Sequence, residues 1–427
     1  VQRKRGTEAA LRQLLAIGIF VLVYIVILAG ENTPRKLDRP SAGMIGAVVM
    51  VLCGVLTRGE AAHAIDFATL ALLLGMMIVI HYATSSGLLD HLARALIARS
   101  HSAQQLLWMV CGSAGILSAL FLNDTVCLLM TPMLLAACRR ARLPAEPYLI
   151  ALATSSNVGS VMTITGNPQN ILIGQSSHWT WGAFALHMVP IGLLCLAING
   201  FLVSLVYRKP LGEAAWQNCS DGQEEVMPLQ RRLAAKTLFV LAGLLLAFLC
   251  GMPMDLAALA AGAAMLVLAN RPSEETLAGI DWSLLLFFAG LFVVVEGVTK
   301  VEGAWIAHFA PVLTRHPGTV GELTGFSFAS LVGSNLFSNV PFVMLVRGFI
   351  ANLPHAPLLW LTLAASSTFA GNLTLVGSVA NLIVAQKARQ ECPLGFWTFL
   401  KVGIPTTMLT TLVSVLMLWL YGRLHWT

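Results

Sequence analysis

Charge is what this chain has least of. Of 427 residues only 11% are Asp, Glu, Lys or Arg, while 57% are hydrophobic and the mean hydropathy is +0.78. No soluble class fits that balance, so an all-α polytopic membrane protein is expected. Cysteine is sparse as well: eight residues, mostly inside apolar runs, with no C-x-x-C and no His/Cys pair at ligand spacing. That pattern argues against a disulfide framework and a metal site, and the thiols read as small buried hydrophobes. The ten histidines are dispersed and form no catalytic pair, so neither an enzyme nor a cofactor is expected. The net charge of +6 sits between apolar stretches, as topology signals do, and builds no surface for nucleic acid.

What is present is a series of apolar stretches. Those of spanning length lie at 11–30, 41–56, 66–84 and 181–207, and again at 233–250, 255–270, 281–299 and 396–421. The first imitates a signal peptide behind Arg3-Lys4-Arg5, but Ala29-Gly30-Glu31 is a poor cleavage site, so a retained helix is expected. Residues 88–99 place apolar side chains at helical spacing opposite charges and read as a helix lying along the interface. Residues 209–232, with Asp221-Gly-Gln-Glu-Glu225, have no hydrophobic period and read as a soluble linker.

Two stretches are too long or too polar for a simple helix. The run 102–139 holds 38 residues around Asn123-Asp124-Thr125. At ~1.5 Å per residue it overshoots a bilayer, and arginines flank both ends, so it reads as a re-entrant hairpin with both feet on one side. The run 323–350, centred on Ser338-Asn339, reads the same way. The segment 154–174 begins and ends as a membrane helix, but Gly166-Asn167-Pro168 forces a break over 163–169. Broken backbone survives in hydrocarbon only where protein or a wet cavity satisfies it, which makes a polar break a candidate site.

These features occur twice. Ile65-Asp66 through Gly75 recurs as Ile280-Asp281 through Gly290, 215 residues on. Leu120-Phe121-Leu122-Asn123 recurs as Leu336-Phe337-Ser338-Asn339 at an offset of 216, and Ser155-Ser156 with Gly166 and Asn170 recurs as Ser366-Ser367 with Gly377 and Asn381 at 211. Each half then holds three helices, a hairpin, a broken helix and a last helix. A hairpin makes no net crossing, so each half crosses five times and the second is inverted. The expected organisation is a first inverted repeat at 1–208, a cytoplasmic linker at 209–232 and a second repeat at 233–427, with about ten transmembrane helices and two hairpins. Sixteen basic residues fall on the linker's side against nine on the other, which makes that side cytoplasmic in a multi-pass inner-membrane protein.

Inverted repeats with discontinuous helices are the architecture of secondary transporters, with the site at the repeat interface. The substrate- and ion-binding candidates are therefore the tips and the breaks. From the first repeat they are Asn123, Asp124, Thr125, Ser155, Ser156, Asn157, Thr163, Asn167 and Asn170. From the second they are Ser338, Asn339, Ser366, Ser367, Asn372, Thr374, Ser378 and Asn381. Asp124, a carboxylate near mid-membrane, is the expected coupling residue, carrying a proton or ligating sodium. The competing role is a cap on the hairpin's second helix. His81 and Glu296, equivalent at offset 215, read as structural, and Asp66 and Asp281 as N-caps. A channel would need a continuous polar path that hairpins occlude.

The runs Phe121-Leu-Asn-Asp-Thr125, Gly166-Asn-Pro-Gln-Asn170, Ser338-Asn-Val-Pro341 and Gly377-Ser-Val-Ala-Asn381 resemble the ion transporter superfamily. That group holds arsenite/antimonite permeases, related sodium/proton antiporters and divalent anion:sodium symporters. Asn-Asp-Thr at the first tip and the Gly-Asn-Pro-Gln-Asn run look most like the arsenite permease branch. The resemblance implies efflux of arsenite or antimonite driven by the proton gradient through alternating access. Sodium-coupled symport of a small inorganic or carboxylate anion, and cation/proton antiport, stay open as alternatives. The symporters resembled are homodimers, and an ATPase subunit as partner is left open. No Lys or Arg falls at a tip or a break, which disfavours a divalent anion.

Overall fold

The computed structural model describes residues 2–29, 37–89, 91–92, 99–213, 228–313, 318–351, 353, 355–424 and 426. Most of the expected interfacial helix at 88–99 and of the linker at 209–232 lies outside them. Every regular element among the described residues is helical, as a backbone surrounded by hydrocarbon requires.

The first half runs α1 (Gln2–Ala29), α2 (Arg39–Leu52), the short α3 (Arg58–Ala64), α4 (Phe67–Ser85), α5 (Ala103–Leu120), α6 (Asn123–Ala141), α7 (Glu146–Ser160), α8 (Pro168–Ser177) and α9 (Trp181–Val206). The short α10 (Arg208–Glu213) follows. The second half runs α11 (Arg231–Leu249), α12 (Met254–Ala269), the short α13 (Ser273–Ala278), α14 (Trp282–Leu313), α15 (Val320–Phe337), α16 (Asn339–Ile350), α17 (Ala356–Ala370), α18 (Val379–Ala388) and α19 (Phe396–Arg423). Element for element, the second half repeats the first, including the short helix before its third long one. Seven helices, α1, α4, α5, α9, α11, α14 and α19, are long and apolar enough to cross a membrane. Leaving out α5, which is an arm of the first hairpin, the other six join the shorter α2 and α12, about 21 and 24 Å long, and the two broken helices to make five crossings per half.

Local chemistry sets the boundaries. Asp66 Oδ1 accepts from Thr69 N and Asp281 Oδ1 from Leu284 N, both at 3.0 Å, so the two N-caps expected at offset 215 are both present. Two boundaries differ from the sequence reading. Arg231 and Arg232 open α11 rather than closing the linker. In the first hairpin the chain reverses at Phe121–Leu122, so Asn123 and Asp124 form the first turn of α6 instead of an unwound tip, and Asp124 does not cap that helix. The Leu122 cap has no side-chain hydrogen bond.

The packing carries the two-fold relation of the halves down to single atoms. α4 packs against α12, and α14 against α2. A Cβ on Gly75 would strike the backbone of Ala258 and Leu259, and a Cβ on Gly290 would strike that of Gly43 and Met44. Each residue of the second contact stands 215 away from its counterpart in the first. Small residues at these crossings let backbones touch, the usual way helices associate where the solvent is as apolar as the side chains.

The helices form two bodies. α1, α2, α4, α11, α12 and α14 pack on one another, while the hairpins, the broken helices, α9 and α19 form a second body in which α6 lies on α18 and α16 on α8. The bodies meet through Phe20 and Tyr24 of α1, which meet Phe337 at the second hairpin's turn tilted and edge-on (centroids 6.1 and 5.4 Å), and through Trp181 against Phe248. An ion pair, Arg347 to Asp66 at 3.2 Å, ties the second hairpin to the cap of α4.

Candidate functional site

Both broken helices stop and restart in the same way. α7 ends at Ser160 and α17 at Ala370. Thr163 (φ −138°, ψ 161°) and Thr374 (φ −134°, ψ 159°) then turn the chain into extended backbone. A single 3-10 turn follows, Ile164–Gly166 or Leu375–Gly377, before a second extended residue, Asn167 or Ser378, starts the next helix. Carbonyls orphaned at the first helix end need donors. Asn170 Nδ2 supplies them to Ser160 O (3.2 Å) and Thr163 O (3.1 Å). Asn381 Nδ2 does the same for Gly371 O (2.7 Å) and Thr374 O (3.1 Å). The predicted breaks at Gly166 and Gly377 are thus one backbone motif used twice.

The two motifs meet at Asn157, near the end of α7. Its Nδ2 donates to Asn372 Oδ1 (2.9 Å) and Asn381 Oδ1 (3.0 Å), and its Oδ1 accepts from Asn123 Nδ2 (2.9 Å) and Ser378 Oγ (3.0 Å). One buried amide, with all four hydrogen-bonding positions used, therefore joins the first hairpin, the first break and the second break. Asn372 also donates to Thr154 O (3.1 Å). The related contact on the other side is weaker: Thr368, which stands where Asn157 does in the first half, accepts from Asn167 Nδ2 (3.2 Å) and Gln169 Nε2 (3.4 Å).

Three of the predicted residues hold acceptors without donors. Asn123 Oδ1, Asn170 Oδ1 and Asn339 Oδ1 are buried and unpartnered, as are the hydroxyls of Ser118 and Ser334, which stand one turn before the two hairpin reversals. Unpaired acceptors cost roughly 1–3 kcal/mol each in a protein interior.

Of the other predicted residues, Thr163 donates to Ala119 O, pinning the first break to the hairpin arm α5. Asn167 also caps α8, accepting from Asn170 N at 2.8 Å. Ser155 accepts from Asn199 Nδ2 (2.8 Å), and Ser156 from Cys127 Sγ (3.1 Å). Ser366 and Ser367 donate back to Thr362 O and Leu363 O of their own helix and do not join the network. Thr374 borders Gly377. Asp124 and Thr125 are half-buried and make no hydrogen bond to the amides. Asp124 instead lies within electrostatic reach of Arg39, at the start of α2, and of Asp281, the cap of α14. Ser338 occupies φ +69°, ψ 155°, a region close to glycine-only, so the second hairpin turn is strained.

Sequence reasoning missed the contribution of the last helices. Asn199 of α9 donates to Thr154 Oγ1 (3.0 Å) and Ser155 Oγ and accepts from Thr406 Oγ1 of α19 (3.1 Å). Thr407 donates to Phe369 O (3.2 Å). An amide in the middle of a 26-residue apolar helix was the available signal.

The two breaks differ in exposure. Thr163 through Gln169 are all buried, whereas Thr374, Leu375 and Gly377 are half-buried and Val376 is 62% exposed. The site is closed around the first break and open beside the second.

Known proteins resemble this chain over nearly its whole length. Residues 20–365 match the family described as citrate transporter (CitMHS). A "Silicon efflux transporter LSI3" from Oryza sativa subsp. japonica is 32% identical, over 94% of this chain and 96% of that protein. A "Putative transporter arsB" from Dictyostelium discoideum is 26% identical, over 95% and 92%. Among solved structures, the YdaH transporter of Alcanivorax borkumensis, described as having an unusual topology, matches with a TM-score of 0.57. That match covers 97% of this chain and 99% of the other at 17% identity, so it speaks to the fold.

Proposed function

The chain belongs to the citrate transporter family, and we propose that within it this secondary transporter exports a neutral, polyhydroxylated metalloid acid, with arsenite or antimonite as substrate. The observation that carries the reading is the character of the network around Asn157. It is built from amides and hydroxyls, no Lys or Arg stands at either tip or break, and Asn123, Asn170 and Asn339 offer acceptor oxygens without donors. A trihydroxide such as arsenite, uncharged near neutral pH, brings O–H donors to such acceptors. A carboxylate brings only acceptors and a charge that nothing at the tips or breaks offsets. The names of the rice silicon transporter and the Dictyostelium protein support the same chemical class.

In this reading Asp124 carries the coupling ion, a proton or sodium. It sits in the first turn after the reversal of the first hairpin, within electrostatic reach of Arg39 and without a hydrogen bond to the amides, so loading the ion changes the charge balance without entering the substrate's hydrogen bonds. The unequal exposure of the two breaks represents one of two related states, and exchanging the roles of the halves gives alternating access across the inner membrane. A second reading, symport of a carboxylate with sodium, has the family's description in its favour.

The test uses everted vesicles from cells expressing the chain. Uptake of arsenite and antimonite against a gradient, collapsed by a protonophore, is expected, with silicic acid tried alongside. Uptake of citrate, succinate or sulfate that depends on a sodium gradient, with no metalloid flux, would replace this proposal by the second reading.

A further inference from the structure

Away from that site, where α11 begins and α12 ends, lies a cavity of about 450 Å³. Among the described residues four cations line it, Arg231, Arg232, Lys236 and Arg271, and no carboxylate does. Two of them are held in place by neutral acceptors: Arg271 Nη2 donates to Gln230 Oε1 (2.5 Å) and Lys236 Nζ to Leu268 O (2.6 Å). Each of these bonds uses one of several donors on its group, so N–H groups remain for a ligand. Among the described residues no ion pair joins any of the four. The N-terminus of α11 opens into the same place, and its cap residue, Gln230, makes no side-chain capping bond, so the helix adds its own positive end.

We propose that this cavity seats the phosphate of an anionic phospholipid, of the phosphatidylglycerol class. The phosphate chemistry follows from the four cations and the helix end. That the phosphate belongs to a lipid follows from the surface running away from the cavity. Along α11, Arg232, Ala235, Lys236, Phe239, Gly243 and Leu246 recur at helical spacing and all are exposed. The cationic end of this stripe passes directly into an apolar one. Phe239 is 77% exposed, Val267 on the neighbouring α12 is 79% exposed, and beyond Gly243 there is open space. From Arg232 to Leu246 the stripe runs about 21 Å, enough to follow an acyl chain through one leaflet of ~15 Å. A free phosphate has no use for such a surface.

The experiment takes the full chain in detergent and follows retained lipid by native mass spectrometry and the melting midpoint by fluorescence. Dioleoyl phosphatidylglycerol, dioleoyl phosphatidylcholine and inorganic phosphate are titrated separately. The expected result is retention of the anionic lipid with a raised midpoint at a mole fraction at least 10-fold below that needed for phosphatidylcholine, with no effect of phosphate alone. The variant Arg231→Gln/Arg232→Gln/Lys236→Gln is expected to lose that preference and keep its lipid-free midpoint. Removing the same charge elsewhere, as Arg58→Gln/Lys401→Gln/Arg423→Gln, should leave it intact. If the triple variant does not fold, the single variants Arg231→Gln and Arg232→Gln must each weaken retention. Three results would overturn the proposal: equal retention of the two lipids; a midpoint raised by phosphate alone; or the same loss in the control variant.

Discussion

Replacing Asn157 by alanine is expected to do more harm than any other single truncation in the polar centre, and the size of the effect can be worked out. Asn157 makes four hydrogen bonds at 2.9–3.0 Å, two as donor and two as acceptor. At a net ~0.5–1.5 kcal/mol each they contribute roughly 2–6 kcal/mol. Alanine also strands partners: Asn123 Nδ2 loses its acceptor while Asn123 Oδ1 is already without a donor. A loss of about 4 kcal/mol is therefore expected. Thr368→Ala is the built-in control. It removes two longer contacts, at 3.2 and 3.4 Å, from the equivalent position and is expected to cost about 1 kcal/mol. Melting of both variants in detergent gives the order, and a double-mutant cycle of Asn157→Ala with Ser378→Ala isolates a coupling of about 0.5–1.5 kcal/mol across the repeats. Arsenite counterflow should vanish in Asn157→Ala. If the two alanine variants melt alike and the cycle closes to zero, the amides are solvated independently and the halves are not joined through them.

Asp124→Asn is expected to abolish export against a gradient while leaving downhill exchange, measured in everted vesicles; uphill export by the variant removes Asp124 from coupling. Gly290→Ala places a Cβ about 2.5–2.8 Å from the Gly43 and Met44 backbone and should lower stability by about 1–3 kcal/mol through overpacking, read as a lower melting midpoint. An unchanged midpoint would mean α14 and α2 are free to part. Ser338→Gly relieves a backbone held at φ +69°, a conformation that costs roughly 1–3 kcal/mol, so its midpoint should rise; a fall would show that the serine side chain matters more than the strain. Glu60 is held down to about 2 by the Lys300 ammonium and by the Thr57 N–H and hydroxyl. A depressed carboxyl stabilises the fold above its unfolded range and loses that contribution as pH falls towards 2. Wild type should accordingly lose more stability than Lys300→Ala between pH 5 and 2; parallel melting curves would rule the pair out.

The parts of the site legible in sequence are those whose chemistry is local. Pro168 cannot sit in a helix interior and Gly166 tolerates non-helical dihedrals, so the first break was visible from two residues, and Asn381 at offset 211 located its copy although no proline marks it. The offset has a structural cause: Asn170 serves the carbonyls of Ser160 and Thr163, and Asn381 the equivalent carbonyls of Gly371 and Thr374. Tertiary contributions were not legible. Asn199 and Thr406 come from helices whose hydrophobicity announces only a membrane span, and a polar residue there points inward or outward according to packing that no window of sequence contains. Boundaries failed for a related reason. Arg231 and Arg232 look like linker because they are charged, yet a helix that starts at the membrane surface can carry cations in its first turn when a groove between helices receives them.

What the halves do not share bears most on mechanism. Backbone breaks, capping aspartates and glycine contacts are duplicated, and the proposed exchange of roles between the halves rests on them. The charges on the two hairpins are not duplicated. Val340 stands in the second half where Asp124 stands in the first, and Thr131 in the first where Arg347 stands in the second. Asp66 thus pairs with Arg347 of the second hairpin, while the equivalent Asp281 lies within electrostatic reach of Asp124, which also has Arg39 nearby. In the proposed cycle, exchange of roles between the halves would move a carboxylate on one hairpin and a guanidinium on the other past aspartates on the body that holds α4 and α14. The two states then differ in electrostatic energy even though their backbones are related by symmetry. A coupling ion can act only on such a difference, since a ligand shifts an equilibrium by no more than its differential affinity for the two states. Placing a neutral asparagine at 124 should bring the ion-free and ion-bound equilibria together, and a conformational reporter on the second hairpin that still responds to the ion gradient in Asp124→Asn would show that the charge asymmetry is not what drives the cycle.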